Sequence, residues 1–487
     1  MKRFVCLVLS LVVVLAMFSA CGDNGSNTED GEDVLQNVVN QNTVPNYLKG
    51  LDYDDQRVVI HSRGDQNTIN EIGLEDQGDI LTNALWKRTL ATEARLGVDI
   101  ELAPQDGWSK YNITVAALRQ SINSGISEYD IIAGWSPRVA ALIFEGLFYD
   151  LNEFEQYEAE EVWWSKSVTE ALTIQGSLYF TTGDISTTYM DCCSSLLVNE
   201  AVSTAFGYTY ESFYDVVYSG EWTMDYLYEL TKQTYTDKNG NDLSDDGDVF
   251  GLLIGSSYRD CFWTSCNISI IENNGEDLPR LNYDIEYVQN VSEKVYKLLF
   301  ENVGCLPTAS DLPQIFLEDR SMFIFSLLGD LSTYASGMTT KYGVLPVPKY
   351  DSNQENYRTF VQQGMTFFGI PVDAHNSEMS CAVISSLGYD SHEIVIIPHY
   401  ETLLKTRYVK DSTSGYMIDI IYNGIWMNFD SVYTEALGDS LTKSEAMPTY
   451  IYRLMKAGEP PNIAGWWEEQ GEGLQTRLDN LISSVSE

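Results

Sequence analysis

The chain has 487 residues at ordinary apolar content, long enough for two domains or two large lobes, and it contains only 4 histidines. Its net charge of −42 and pI near 4.2 arise from carboxylates spread along the sequence, which makes nucleic acid and anionic membrane surfaces poor partners. With 29 Lys and Arg against 71 Asp and Glu, nuclease and kinase chemistry fit poorly, and the excess charge reads as a device for solubility.

At the N-terminus Met1-Lys2-Arg3 precedes an apolar stretch from Phe4 to Phe18, which closes on Ser19-Ala20-Cys21 in the order of a secretory signal peptide. The stretch is shorter than the roughly 20 residues that span a bilayer, which argues against a retained membrane helix. The small residues before Cys21 resemble the lipobox of bacterial lipoproteins, with Phe18 in place of the usual leucine. That resemblance implies a diacylated Cys21 as the mature N-terminus, each buried methylene contributing about 0.8 kcal/mol to anchoring on the extracellular face of the cell membrane. Beyond Cys21 the composition turns to Gly, Asn, Ser, Asp and Glu, which cannot bury a core, and residues 22–50 are expected to form a flexible acidic tether.

In the body, the β-branched run at 57–63 predicts a strand, and the apolar positions Leu81, Ala84, Leu85 and Ala91 predict a helix that Gly97 ends. A second strand is expected at 98–102, a helix on Val115, Leu118 and Ile122, and a third strand at 129–133. Alternating strand and helix predict a largely parallel sheet. Pro137 can open a helix whose apolar face is Val139, Leu142 and Ile143 and which Gly146 ends. A second series of elements begins near residue 194 and includes a helix capped by Thr223 with Asp225 in its first turn. Further strands are expected at 321–325, 342–348 and 364–371, with helical patterns to the C-terminus.

Six cysteines lie in the body, at 192, 193, 261, 266, 305 and 381, without a Cys-x-x-Cys pair. Six allow 15 connectivities; Cys261 with Cys266 is the expected local bridge, and buried free thiols are the alternative. Asp237, Asn239, Asn241, Asp245 and Asp248 fall at EF-hand ligand positions, with the Leu243 carbonyl at the seventh. Asp242 replaces the usual glycine at the sixth position, and Asp248 is shorter than the usual terminal glutamate. A structural calcium site and a solvated Asn-Gly-Asp turn are the two readings, and no cofactor is required.

Four segments together resemble the extracellular solute-binding proteins of family 1, the group that includes maltose-binding protein. They are Asp130-Ile131-Ile132 leading through Trp135 to Gly146-Leu147-Phe148-Tyr149-Asp150-Leu151; residues 176–184 running into 195–199; residues 222–230; and Tyr342-Gly343-Val344-Leu345-Pro346-Val347-Pro348. The resemblance covers roughly residues 50–420. It implies an α/β, two-lobed periplasmic-binding-protein-like fold of type II, with crossing strands between lobes and a ligand cleft at the carboxyl ends of the strands. It places lobe 1 at 51–193 and 364–405 and lobe 2 at 194–363 and 406–487. Its function would be to capture a small solute, a carbohydrate above all, by lobe closure and deliver it to the permease of an ABC importer.

Within that frame, Arg63, Trp135 and Arg138 lie just past strand ends, and Trp135 offers an apolar face for a sugar ring. Asp184 and Asp191 can each accept hydrogen bonds from vicinal hydroxyls. Trp263, Gln363 and Trp426 complete the candidates; packing of the tryptophans within a lobe, an ion pair for Arg138 and solvated loops for the aspartates are the bland alternatives. Arg63 with Arg138 would instead suit an anionic solute. The rival classes are a secreted glycan-active enzyme using two carboxylates and a sensory binding lipoprotein without a transport role. No Gly-x-Ser-x-Gly, His-Glu-x-x-His or phosphate-loop motif occurs, and a non-enzyme is expected.

Overall fold

The computed structural model describes residues 43–105, 111–255, 258, 260–282, 284–307, 311–409, 411–438 and 457–485. The expected signal segment, Cys21 and the acidic stretch through residue 42 lie outside the described residues. Two sheets organise the rest. The first comprises β1 (Gln56–Arg63), β2 (Val98–Gln105), β3 (Ile131–Trp135) and β11 (Thr366–Gly369), in the order β11-β3-β1-β2. β1 is parallel to both of its neighbours, and β11 is antiparallel to β3. Val58, Ile60, Ile131 and Ile132 are fully buried, as expected of strands covered on both faces.

The second sheet comprises β4 (Ser194–Asn199), β5 (Phe250–Leu253), β8 (Cys305–Leu306), β9 (Ser321–Leu327) and β10 (Tyr342–Leu345), in the order β10-β4-β9-β5-β8. Here β5 is parallel to β8 and β9, whereas β4 is antiparallel to β9 and β10, so the parallel rule holds for only part of this sheet. A small ribbon pairs β6 (Ile271–Glu272) with β7 (Arg280–Leu281). Local chemistry sets the helix ends. Asp79 Oδ1 accepts from the amides of Leu81 and Thr82 to start helix Ile80–Leu96, and Gly97 ends it at φ +59°. Thr223 Oγ1 accepts from Tyr226 N at 3.2 Å and caps Met224–Lys232 as its sequence predicts.

Three segments cross between the sheets. The first enters β4 through Cys193, which forms an antiparallel bridge with Val361 of the second. The third is short: Thr359 N donates to Gly424 O, Trp426 N donates to Thr359 O, and Thr359 bridges Ile425. Before it, helix Ser412–Asn423 packs on β10; after it, helix Phe429–Val432 packs on Ser136–Ala140 and Lys166–Leu172 of the first lobe. The stretch from 424 therefore returns to the first lobe instead of staying with the second, and helix Ile463–Val485 touches both, through Ile285–Phe300 and Ala141–Glu145.

Two further expectations meet different physics. The last residues of the expected tether are packed: Val44 and Leu48 are buried, and Thr43 Oγ1 lies 2.8 Å from the Tyr389 hydroxyl. Cys261 and Cys266 are both free, buried thiols. Cys261 opens helix Cys261–Ser265 and Cys266 follows its end, so five residues of helical rotation carry the two side chains to different faces.

Candidate functional site

A cavity of about 590 Å³, within the usual range for small-molecule sites, opens where the carboxyl ends of β1 and β9 approach the crossing segments. The chain leaves β1 at Arg63 and turns at Asp65, whose Oδ1 accepts from Thr68 N at 3.2 Å to cap helix Gln66–Ile72. Arg63 is 5% exposed; its Nε donates to Asp65 Oδ2 at 3.1 Å and its Nη2 to the Gly364 carbonyl at 2.7 Å. One guanidinium thus ties the end of β1 to the second crossing.

Glu71, buried on the same helix, sets the first crossing. Its Oε1 accepts from the Ser186 hydroxyl at 2.6 Å and from Thr188 N at 2.9 Å. Arg88, fully buried, donates to the carbonyls of Glu71, Ile72 and Ile185 and so locks the far end of that helix. Thr188, Asp191 and Cys192 then line the cavity. From the second sheet come Leu327, Gly329, Asp330 and Ser332, with Asp330 Oδ2 accepting from Leu327 N at 3.2 Å and from the Tyr258 hydroxyl at 3.2 Å. Gly329 permits the approach of the two halves: a Cβ there would lie 2.9 Å from the Asp191 Cβ.

The remaining wall is the π-helical stretch Ile397–Arg407, a rare conformation that is enriched at functional sites. It brings in His399, Leu403 and Leu404, and His399 Nε2 meets Asp191 Oδ1 at 2.9 Å. Seven residues earlier His392 Nδ1 meets Asp184 Oδ2 at 2.7 Å, so two histidines pin this helical segment to the residues leading into the first crossing.

Of the candidate ligand contacts, Arg63 and Asp191 line the cavity, and Gln363 directly precedes the lining Gly364, its carbonyl accepting from the Ser136 hydroxyl. The others are engaged elsewhere. Trp135 lies under the Arg138 guanidinium at 5.0 Å, and Arg138 pairs with Glu435 at 2.5 Å, the ion pair of its bland reading. Asp184 is buried between His392 and Tyr422; burial raises its carboxyl above the ordinary range against the pull of His392. Trp263 is 6% exposed and donates to Asp430 Oδ2 at 3.2 Å, a carboxyl that burial pushes up to about 6. Trp426 stands on the third crossing with the Arg358 guanidinium 5.3 Å from its ring. The sequence reading missed Asp65, Asp330 and His399. The first two follow β1 and β9 and were accessible to the strand-end rule; His399 carries no local signal.

The Asp237–Asp248 loop satisfies itself. Asp237 accepts from the amides of Gly240 and Asp242, Asp245 from the side-chain amides of Asn239 and Asn241, and Asp248 from Lys238 N and the Tyr235 hydroxyl. Among the described residues no group of three or more His, Cys, Asp or Glu is arranged to hold a metal ion.

No family model matches the chain, and no curated protein matches it in sequence. Solved structures do. An ABC substrate-binding protein of Listeria monocytogenes, in complex with cycloalternan, shares 11% identity at a TM-score of 0.52, over 89% of this chain and 100% of that one. UspC of M. tuberculosis shares 12% at 0.56, over 86% and 100%. The GacH receptor of Streptomyces glaucescens, solved unliganded and with acarbose, shares 10% at 0.55, over 87% and 99%. At such identities the likeness speaks to architecture: the chain has the two-lobed, periplasmic-binding-protein-like α/β fold, and ABC solute-binding proteins are among its structural neighbours.

Proposed function

We propose that the chain is an extracellular solute-binding lipoprotein of family 1, which captures a sugar between its lobes and delivers it to the permease of an ABC importer. The cavity carries this reading, because its walls come from the carboxyl ends of strands in two separate sheets joined by crossing segments. A solute held there touches Asp65 on one lobe and Asp330 on the other, and it favours the closed form to the extent that those contacts tighten on closure. The cycloalternan and acarbose complexes of the neighbours support a carbohydrate.

A thermal-shift screen across mono- and oligosaccharides tests the reading. At least one sugar is expected to raise the melting temperature, and Asp330→Ala should then lose about 1.5–3 kcal/mol of its binding, roughly tenfold or more in affinity. Stabilisation by no sugar, or binding indifferent to Asp330→Ala, would count against it.

Residues 1–21 motivate the anchoring part of the proposal. Cys21→Ser is expected to release the protein into the medium or leave its signal uncleaved. Fractionation that finds the variant still acylated and membrane-bound would refute lipidation at Cys21.

A further inference from the structure

The cavity walls are unequal in charge, and that inequality bears on the class of solute. Asp65, Asp191 and Asp330 contribute carboxylates, while Arg63 is already committed to Asp65 and to the Gly364 carbonyl. Asp191 is bonded to the imidazole of His399, and Asp330 to uncharged donors alone, the Tyr258 and Ser326 hydroxyls and the Leu327 amide. Among the described residues no lysine or arginine forms an ion pair with either carboxylate.

The two sit close together. The Gly329 backbone abuts the Asp191 side chain, a Cβ at 329 falling 3.3 Å from Asp191 Cγ, and Asp330 is the next residue. Their field is felt at Cys192: burial first, then the Asp191 carboxylate and more weakly Glu71 and Asp330, push its thiol above the ordinary range while Arg63 opposes. Leu81, Leu403 and Leu404 supply an apolar part of the cavity wall. An anionic solute would meet this carboxylate pair, and the one arginine among the described lining residues, Arg63, is paired with Asp65. The anionic alternative loses Arg138, which is paired with Glu435 and does not line the cavity.

Resting on the solute-binding reading above, the geometry points to an amino sugar as the ligand, its ammonium group held between Asp191 and Asp330 and the C–H face of its ring against the leucine wall. The ammonium adds a full positive charge to its hydrogen bonds with the two carboxylates, which the hydroxyls of a neutral sugar do not.

Titration calorimetry with glucosamine, glucose and glucuronate, and with their disaccharides, tests this. The amino members are expected to bind at least roughly tenfold more tightly than the neutral ones at low salt, and the advantage should shrink as sodium chloride screens it. Glucuronate should bind weakest. Asp191→Asn and Asp330→Asn, each checked for an unchanged melting temperature, should each bring the amino member down to the affinity of the neutral one. Neutral sugars binding as tightly as amino sugars, or an amino preference that survives both substitutions, overturns the amino-sugar assignment and leaves sugar capture standing. Silence from all three series and from the wider sugar screen overturns the solute-binding reading and this inference with it.

Discussion

Replacing Arg95 with alanine is expected to destabilise the protein by about 3–5 kcal/mol. Arg95 Nη1 lies 2.5 Å from Asp390 Oδ2 and Nη2 donates to Asp390 Oδ1 at 2.6 Å, a two-pronged pair between helices Ile80–Leu96 and Ser377–Asp390. The Asp390 side chain is fully buried and also accepts from the Thr92 hydroxyl at 2.8 Å. Intact, such a pair adds little net stability, because desolvation offsets the attraction. Losing Arg95 leaves the buried Asp390 with no hydrogen-bonded counter-ion, only the more distant charge of Arg88, and that is the large term. The double variant Arg95→Ala, Asp390→Ala should therefore recover part of the loss, which a urea-unfolding cycle measures. A single-variant cost below about 1 kcal/mol would mean that the pair is not buried as described.

The second large effect is acid sensitivity centred on His61. This residue lies on β1 at 2% exposure, with neither ring nitrogen hydrogen-bonded and the Tyr129 ring edge-on at 5.3 Å. Burial pushes its pKa from 6.5 down to about 4. A histidine more acidic in the folded state binds its proton more readily once unfolded, so protonation favours unfolding. The stability is complete above pH 6.5 and is lost as the pH falls from there toward 4. The gap between the two values, at 1.36 kcal/mol for each tenfold change in acidity, amounts to about 3 kcal/mol. In His61→Leu, the loss of stability between about pH 7 and 4.5 should be smaller than in the wild type by about 2–3 kcal/mol. Parallel pH profiles for the two proteins would show that His61 is not the buried neutral group described.

Much of the architecture could be read from the sequence, because strand positions are written locally. The β-branched run at 57–63 and the apolar residues at 98–102 and 129–133 emerge as β1, β2 and β3. Gly97 and Gly146 end their helices in the left-handed region, at φ +59° and +67°, where glycine is least strained. What stayed hidden depends on contacts distant in sequence. The third crossing has no strand pattern, since Ile425 joins Thr359 through a single bridge. Val44 and Leu48 are spaced as one helical face, yet the acidic composition around them masked that signal.

The site divides along the same line. Arg63 was legible because it closes a strand, and Asp191 because it precedes a crossing. The tryptophans misled: an indole serves equally well as a sugar platform or as a core donor, and Trp263 spans to a buried carboxyl that lies 167 residues away in sequence. His399 reaches the cavity from a π-helical segment whose side chains follow neither strand nor α-helical spacing.

Capture of a sugar by closure of two lobes is most directly tested by solution X-ray scattering on the protein, with and without the sugar that stabilises it most. The account predicts a smaller radius of gyration at saturation, and a concentration dependence that follows the binding isotherm in the wild type and shifts to higher sugar concentration in Asp330→Ala. A sugar that binds tightly while leaving the scattering curve unchanged would contradict closure around the cavity between β1 and β9.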